Sequence, residues 1–144
     1  MLSKIIRHRH LLKYCFEAIV DLAICKYLIL CMPFSKYAKQ YGHAHCETLK
    51  EEMGFAQYDI DAIRCVLRVV PPLMLWKSKC LDQAMTAQRM LKRRGLQSTL
   101  YFGMVKEKDQ SLIAHAWLRC GKHWIVGFHP QIQYTIVGTY ACGI

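Results

Sequence analysis

Apolar side chains recur at near-helical spacing between residues 9 and 31, among them Leu12, Phe16, Ile19, Ala23 and Leu30, and Pro33 breaks the run. The pattern predicts a helix there, followed by a short helical piece from Tyr37 to Tyr41 that Gly42 ends. From Asp59 to Val70 the helical period returns through Ile60, Ile63, Val66 and Leu67. Pro71-Pro72 stops it, because proline has no N–H to donate and restricts the residue before it. Residues 1–72 therefore read as a helical half.

After the double proline, Ser78 is placed to cap a helix that starts at Cys80 or its neighbour and runs to Arg94, and Gly95 supplies the left-handed residue that commonly ends one. Cys80, Ala84, Ala87 and Leu91 form one narrow stripe of mostly small residues, which lets a sheet approach closely. Beyond Gly95 the period changes to two. Ser98–Val105, Leu112–Arg119, His123–Val126 and Ile132–Val137 read as strands, with a tight turn at Gly121 and a looser one over 106–110. Consecutive strands joined by short turns predict an antiparallel meander packed on the Cys80 helix.

With 144 residues, 53% of them apolar, the chain fits one folded domain over 1–144 and excludes both disorder and a multidomain enzyme with its own nucleotide-binding module. Its eight cysteines are scattered singly, without the close pairs of a structural zinc site and without the look of a disulfide scaffold. Glu17, Asp21 and Lys26 interrupt the first apolar run, so neither a signal-peptide core nor a membrane span is read there, and a reducing cytoplasm is expected.

The formal charge is +10 and is concentrated in the middle third, where Lys77, Lys79, Arg89, Lys92, Arg93 and Arg94 bracket the Cys80 helix. Such a stretch is either a solvated helix face or an attractor for acidic peptide, nucleic acid or anionic membrane. Interleaved exposed aromatics and a known nucleic-acid motif are both missing, so no nucleic-acid partner is expected. Residues 11–34 with Lys4, Arg7, Arg9 and Lys13 would suit a membrane surface. A helix packed on the core is the simpler account.

Eight cysteines and seven histidines make many pairs, so position has to choose among them. Cys80 opens a helix, where orphan N–H groups and the positive end of the dipole favour thiolate and are able to hold a developing oxyanion. His115 lies mid-strand on the face of Ile113 and Trp117, from which an imidazole can take a thiol proton if the sheet brings that face to the helix start. From the pattern alone, a small core cysteine and a hydrogen-bonded core histidine are the plainer account.

Cys80-Leu81-Asp82-Gln83-Ala84 running to Arg94-Gly95, then Leu100–Val105, then Ala114-His115-Ala116-Trp117, resembles the transglutaminase-like leader peptidases of lasso-peptide biosynthesis. Upstream, Met32-Pro33-Phe34 and the Ala62–Pro71 helix resemble that family's helical N-terminal region. The resemblance implies an α+β fold with a helical N-terminal half and a papain-like core over 73–144, its Cys-bearing helix packed on an antiparallel sheet. It implies Cys80 as nucleophile and His115 as general base and then acid. The implied substrate is a ribosomally made precursor peptide cut between leader and core. Its implied partners are a separate leader-recognition protein and an asparagine-synthetase-like cyclase that closes the macrolactam. No cofactor or metal is expected on this chain, and any use of ATP would fall to the cyclase.

Such triads usually carry Asp or Asn on the strand after the histidine, yet residues 123–137 contain no Asp, Glu or Asn. His129, Gln131, Gln133 or a backbone carbonyl remain to orient His115, while Asp82 and Asp109 are less suitably placed. The missing acid is the best support for a rival reading, a non-catalytic peptide-binding or scaffold module. His43-Ala44-His45-Cys46 offers soft ligands but lacks a fourth, and His8-Arg9-His10 reads as a basic terminus. Trp117 and Trp124 are candidates to wall a peptide groove, and Trp76 to cover the nucleophile.

Overall fold

A computed structural model describes residues 2–144, with side chains from Arg9 onward. Helix α1 spans Leu2–Cys31, α2 Phe34–Tyr37, α3 Gln57–Val69 and α4 Cys80–Arg93, and strands β1–β5 span His43–Ala44, Ser98–Lys106, Leu112–Cys120, His123–Val126 and Tyr134–Cys142. The fold is α+β, and all of the sheet except the two-residue β1 follows the helices, as the periodicities predict. The side chains of Lys4 and Arg7, expected to suit a membrane surface, and of His8, read as part of a basic terminus, lie outside the described residues.

The sheet is antiparallel with strand order β1-β5-β2-β3-β4, which is not the expected meander. β5 crosses back to pair with β2 from Ser98↔Cys142 to Val105↔Tyr134, and its far edge takes the two-residue β1. The alternation marked Ile132–Val137 as the strand, but pairing starts at Tyr134 and runs to Cys142. Gly138 disguises its second half, because a glycine inside a strand pattern weakens it and reads as a turn in sequence.

Helix α4 lies on one face of the sheet. Ala84, Ala87 and Leu91 are fully buried against Leu100, Ala116, Leu118 and Cys120, so the small-residue stripe does admit the sheet closely. Gly95, at φ +69°, ends the helix as expected. Ser78 does not cap it. The cap residue is Lys79, whose N–H donates to Oδ1 of Asp82 at 2.5 Å, the carboxylate at the third helical position completing the N-terminus.

Helix α1 packs on α3 and α4 through a different stripe from the one its apolar period suggested. Tyr14, Ala18, Leu22 and Cys25 are buried together with Asp21, while Leu12, Phe16, Ile19, Ala23 and Leu30 face outward. The cause is electrostatic as much as apolar. Asp21 accepts from Arg89 and Arg93, and Glu17 from Arg93 and Arg94, so the inward face is set by five charged residues that bind α1 to α4 and its C-terminal end. Arg94 also reaches Asp59 of α3, whose carboxylate accepts from Tyr14 as well. The charges of Arg89, Arg93 and Arg94 are thus matched inside the molecule.

At its Thr99–Arg119 end, the sheet's opposite face is covered by the segment from His45 to Met53. Arg119, 1% exposed, donates to the carbonyls of Thr48, Leu49 and Gly121, to Tyr101 Oη and to Glu47, tying that segment down. No described helix is long and apolar enough to cross a membrane.

Candidate active site

A cleft of about 1170 Å³ opens where the start of α4, the face of α3 and the 71–78 loop meet the end of β4. Cys80 and His115 both line it, so the structure brings the two predicted site residues to one cavity. Trp76 and Trp124 line it too, whereas Trp117 is buried, stacked on Tyr101 at 5.5 Å, and walls no groove.

Cys80 is the first residue of α4 and is partly exposed. Lys79 is extended, with φ −104° and ψ 172°, and its carbonyl takes the first intrahelical bond from the Gln83 N–H at 3.2 Å. The N–H groups of Cys80 and Leu81 consequently have no acceptor within the helix, and the positive end of the macrodipole lies at the sulfur. Asp82 is buried 1% exposed beneath them, and burial pushes its carboxyl up from the ordinary value, against the Lys79 N–H and the ammonium of Lys26, 4.0 Å from Oδ2. Its work is to hold the helix start.

His115 reaches the cleft by an unexpected route. The face of β3 that packs on α4 carries Ala116, Leu118 and Cys120, and His115 and Trp117 alternate to the other face. β4 pairs with β3 only from Leu118 to Cys120, so the edge of β3 is uncovered at His115, and the imidazole enters the cleft past the end of β4. Gly103 stands opposite His115 in β2, and a Cβ there would lie 2.5 Å from the Trp117 ring. That glycine leaves room for the indole on which His115 stacks, at 6.1 Å between centroids, while Tyr134 stacks on the imidazole at 5.5 Å and 10°.

The His115 Nε2 lies 2.6 Å from the carbonyl oxygen of Gly127. A carbonyl only accepts, so Nε2 carries the proton and Nδ1 presents its lone pair. Of the candidates for the missing acid, the backbone carbonyl is the one that meets the imidazole. The His129 ring lies 6.4 Å away on the cleft wall, and Gln131 and Gln133 are exposed and line no part of it. Gly127 follows β4 with φ +84°, and a Cβ on it would lie 2.4 Å from the Ala116 carbonyl oxygen, so this turn requires glycine. Gly127 and Tyr134 are site residues that sequence reasoning missed; a glycine directly after a short strand was the available signal for the first.

His43, His45 and Cys46 do not converge on a centre, and among the described residues no three potential ligands gather to hold a metal ion. His43 pairs in β1 and His45 turns away at φ 60°.

A cysteine at a helix N-terminus and a histidine on an adjoining sheet, facing one cleft, define a papain-like arrangement. Residues 30–139 match the transglutaminase-like superfamily, and the chain belongs to that superfamily, which includes cysteine proteases and transferases. Comparison with curated proteins and with solved structures finds no match.

Proposed function

We propose that the protein is a cysteine endopeptidase that removes the leader from a ribosomally synthesised lasso-peptide precursor, with Cys80 as nucleophile and His115 as base. The observation that supports it most is the shared cleft, with His115 held through Nε2 by Gly127 and its other nitrogen left basic. In this reading Nδ1 takes the Cys80 proton as sulfur attacks the scissile carbonyl, and the orphan N–H groups at the start of α4 hold the oxyanion. The imidazolium then protonates the departing amine, leaving a thioester. Water, deprotonated by His115, attacks the thioester, and the thiol leaves with its proton restored. The precursor would be presented by a separate leader-recognition protein, and the macrolactam closed afterwards by an asparagine-synthetase-like cyclase.

The test is mass spectrometry of a lasso precursor incubated with the protein and its leader-binding partner. A single cut at the leader junction that vanishes in Cys80→Ala is the expected result. Leader binding without any cut by the wild type would instead favour the scaffold module.

A further inference from the structure

The cleft is one-sidedly charged. Arg64 and Arg68 line it from α3 and Lys77 from the loop, and no Asp or Glu is among its lining residues. Neither arginine nor Lys77 has a carboxylate within 4.0 Å among the described residues, in contrast to Arg89, Arg93, Arg94 and Arg119, which are all paired. Other carboxylates are engaged elsewhere: Glu17, Asp21 and Asp59 between helices, Glu47 on Arg119, Asp82 beneath the α4 N-terminus, while Asp61, three residues before Arg64 on α3, is exposed and accepts from Gln57 Nε2. Arg68, in the last turn of α3, also complements the helix dipole, but Arg64 lies a full turn earlier where that account fails. At i and i+4 the two guanidinium groups share one helix face, a spacing that presents two forks to one anion. Lys77 is exposed, and among the described residues its only hydrogen bond with a side chain is at its carbonyl, which accepts from Lys26 Nζ at 3.2 Å.

We infer that the cleft selects a peptide bearing an Asp or Glu side chain close to the bond presented to Cys80, its carboxylate held by Arg64 and Arg68 with Lys77 at the rim. The inference rests on the peptidase reading above and names the substrate class of that site.

Selection for a carboxylate can be read at Cys80 without any turnover. Iodoacetate and iodoacetamide differ in charge and react alike: the thiolate sulfur bonds to the methylene carbon, the C–I bond breaks and iodide leaves. Site-resolved mass spectrometry gives the ratio of the two rates at Cys80, with the exposed Cys31 as reference within the same molecule. At low salt the iodoacetate-to-iodoacetamide ratio is expected to be about tenfold higher at Cys80 than at Cys31, the low end of electrostatic steering in a charged cleft. It should fall to the Cys31 value in Arg64→Gln/Arg68→Gln and persist in Arg64→Lys/Arg68→Lys, which keeps the charge if the glutamine pair unfolds. Acetyl-(Gly-Glu)3-amide should slow iodoacetamide at Cys80, and acetyl-(Gly-Gln)3-amide should not. Equal ratios at the two cysteines, a ratio indifferent to the glutamine pair in folded protein, equal protection by both peptides, or a Cys80 that reacts with neither reagent overturns the inference. Precursor digestion reports separately on the peptidase reading: a cut precursor with equal ratios leaves a peptidase without carboxylate selection, and an uncut precursor with a raised ratio leaves an anion-selective cleft without proteolysis.

Discussion

Arg93 grips Asp21 with both ends of its fork, Nη1 at 2.6 Å from Oδ2 and Nη2 at 2.6 Å from Oδ1, although the two residues are 72 positions apart and Asp21 is completely buried. The pair joins α1 to the end of α4, the helix that begins with Cys80, so the anchoring of the N-terminal helix and the position of the site are mechanically linked.

Removing that carboxylate leaves Arg89 and Arg93 facing a buried apolar gap. Because both arginines can partly turn to solvent, Asp21→Ala is expected to cost about 1–3 kcal/mol, the range for an unsatisfied buried group, and not the full penalty of a trapped charge. Urea unfolding of Asp21→Ala, Arg93→Ala and the double variant checks it: the double variant should lose less than the sum of the two singles.

Cys80→Ala and His115→Ala should each lower precursor cleavage by at least about 10³-fold, as for members of a nucleophile–base unit. Cys80 is a partly exposed helix start, so its replacement should leave the unfolding midpoint nearly unchanged. Retained turnover in either variant removes the assignment of these two residues.

Gly127→Ala forces a methyl onto the Ala116 carbonyl at a left-handed position, so the turn must move and take its carbonyl with it. The expected outcome is a loss of about 1–2 kcal/mol in stability from the backbone conformation alone, and a loss of the fixed imidazole tautomer. Nitrogen NMR of His115 distinguishes the two consequences: wild type should show the Nε2–H form, and the variant a mixture of tautomers.

Burial pushes the Glu17 carboxyl up, but hydrogen bonds from Arg94 and Arg93 outweigh it and hold the group below its ordinary value. A carboxyl depressed in the folded state stabilises the fold above its unfolded pKa, about 4.3, and that stability is lost as pH falls through the folded value. Urea titrations between about pH 3 and pH 7 should therefore show stability falling below about pH 4.3. Glu17→Gln should be less stable at pH 7 and show a flatter slope in the acid range. An unchanged slope would mean that the Glu17 pairing contributes nothing to acid sensitivity.

Much of this protein was legible along the chain. The 3.6-residue period located α3 and α4, proline and glycine located their ends, the two-residue period located β2, β3 and β4, and a cysteine at a helix start with a histidine on a later strand marked both ends of the candidate site. These are local properties: backbone hydrogen bonding and side-chain alternation act over a few residues, so a few residues suffice to reveal them. Relations between distant residues were decided only by the tertiary structure. The outward turn of Leu12, Phe16 and Ile19 follows from Asp21 and Glu17 being drawn to α4, an attraction that no window on α1 contains. The return of β5 to β2 is a choice among edges of the sheet that alternation cannot make. The partner of His115 is a backbone carbonyl, an atom every residue possesses, so only the turn at Gly127 identifies which one meets the imidazole.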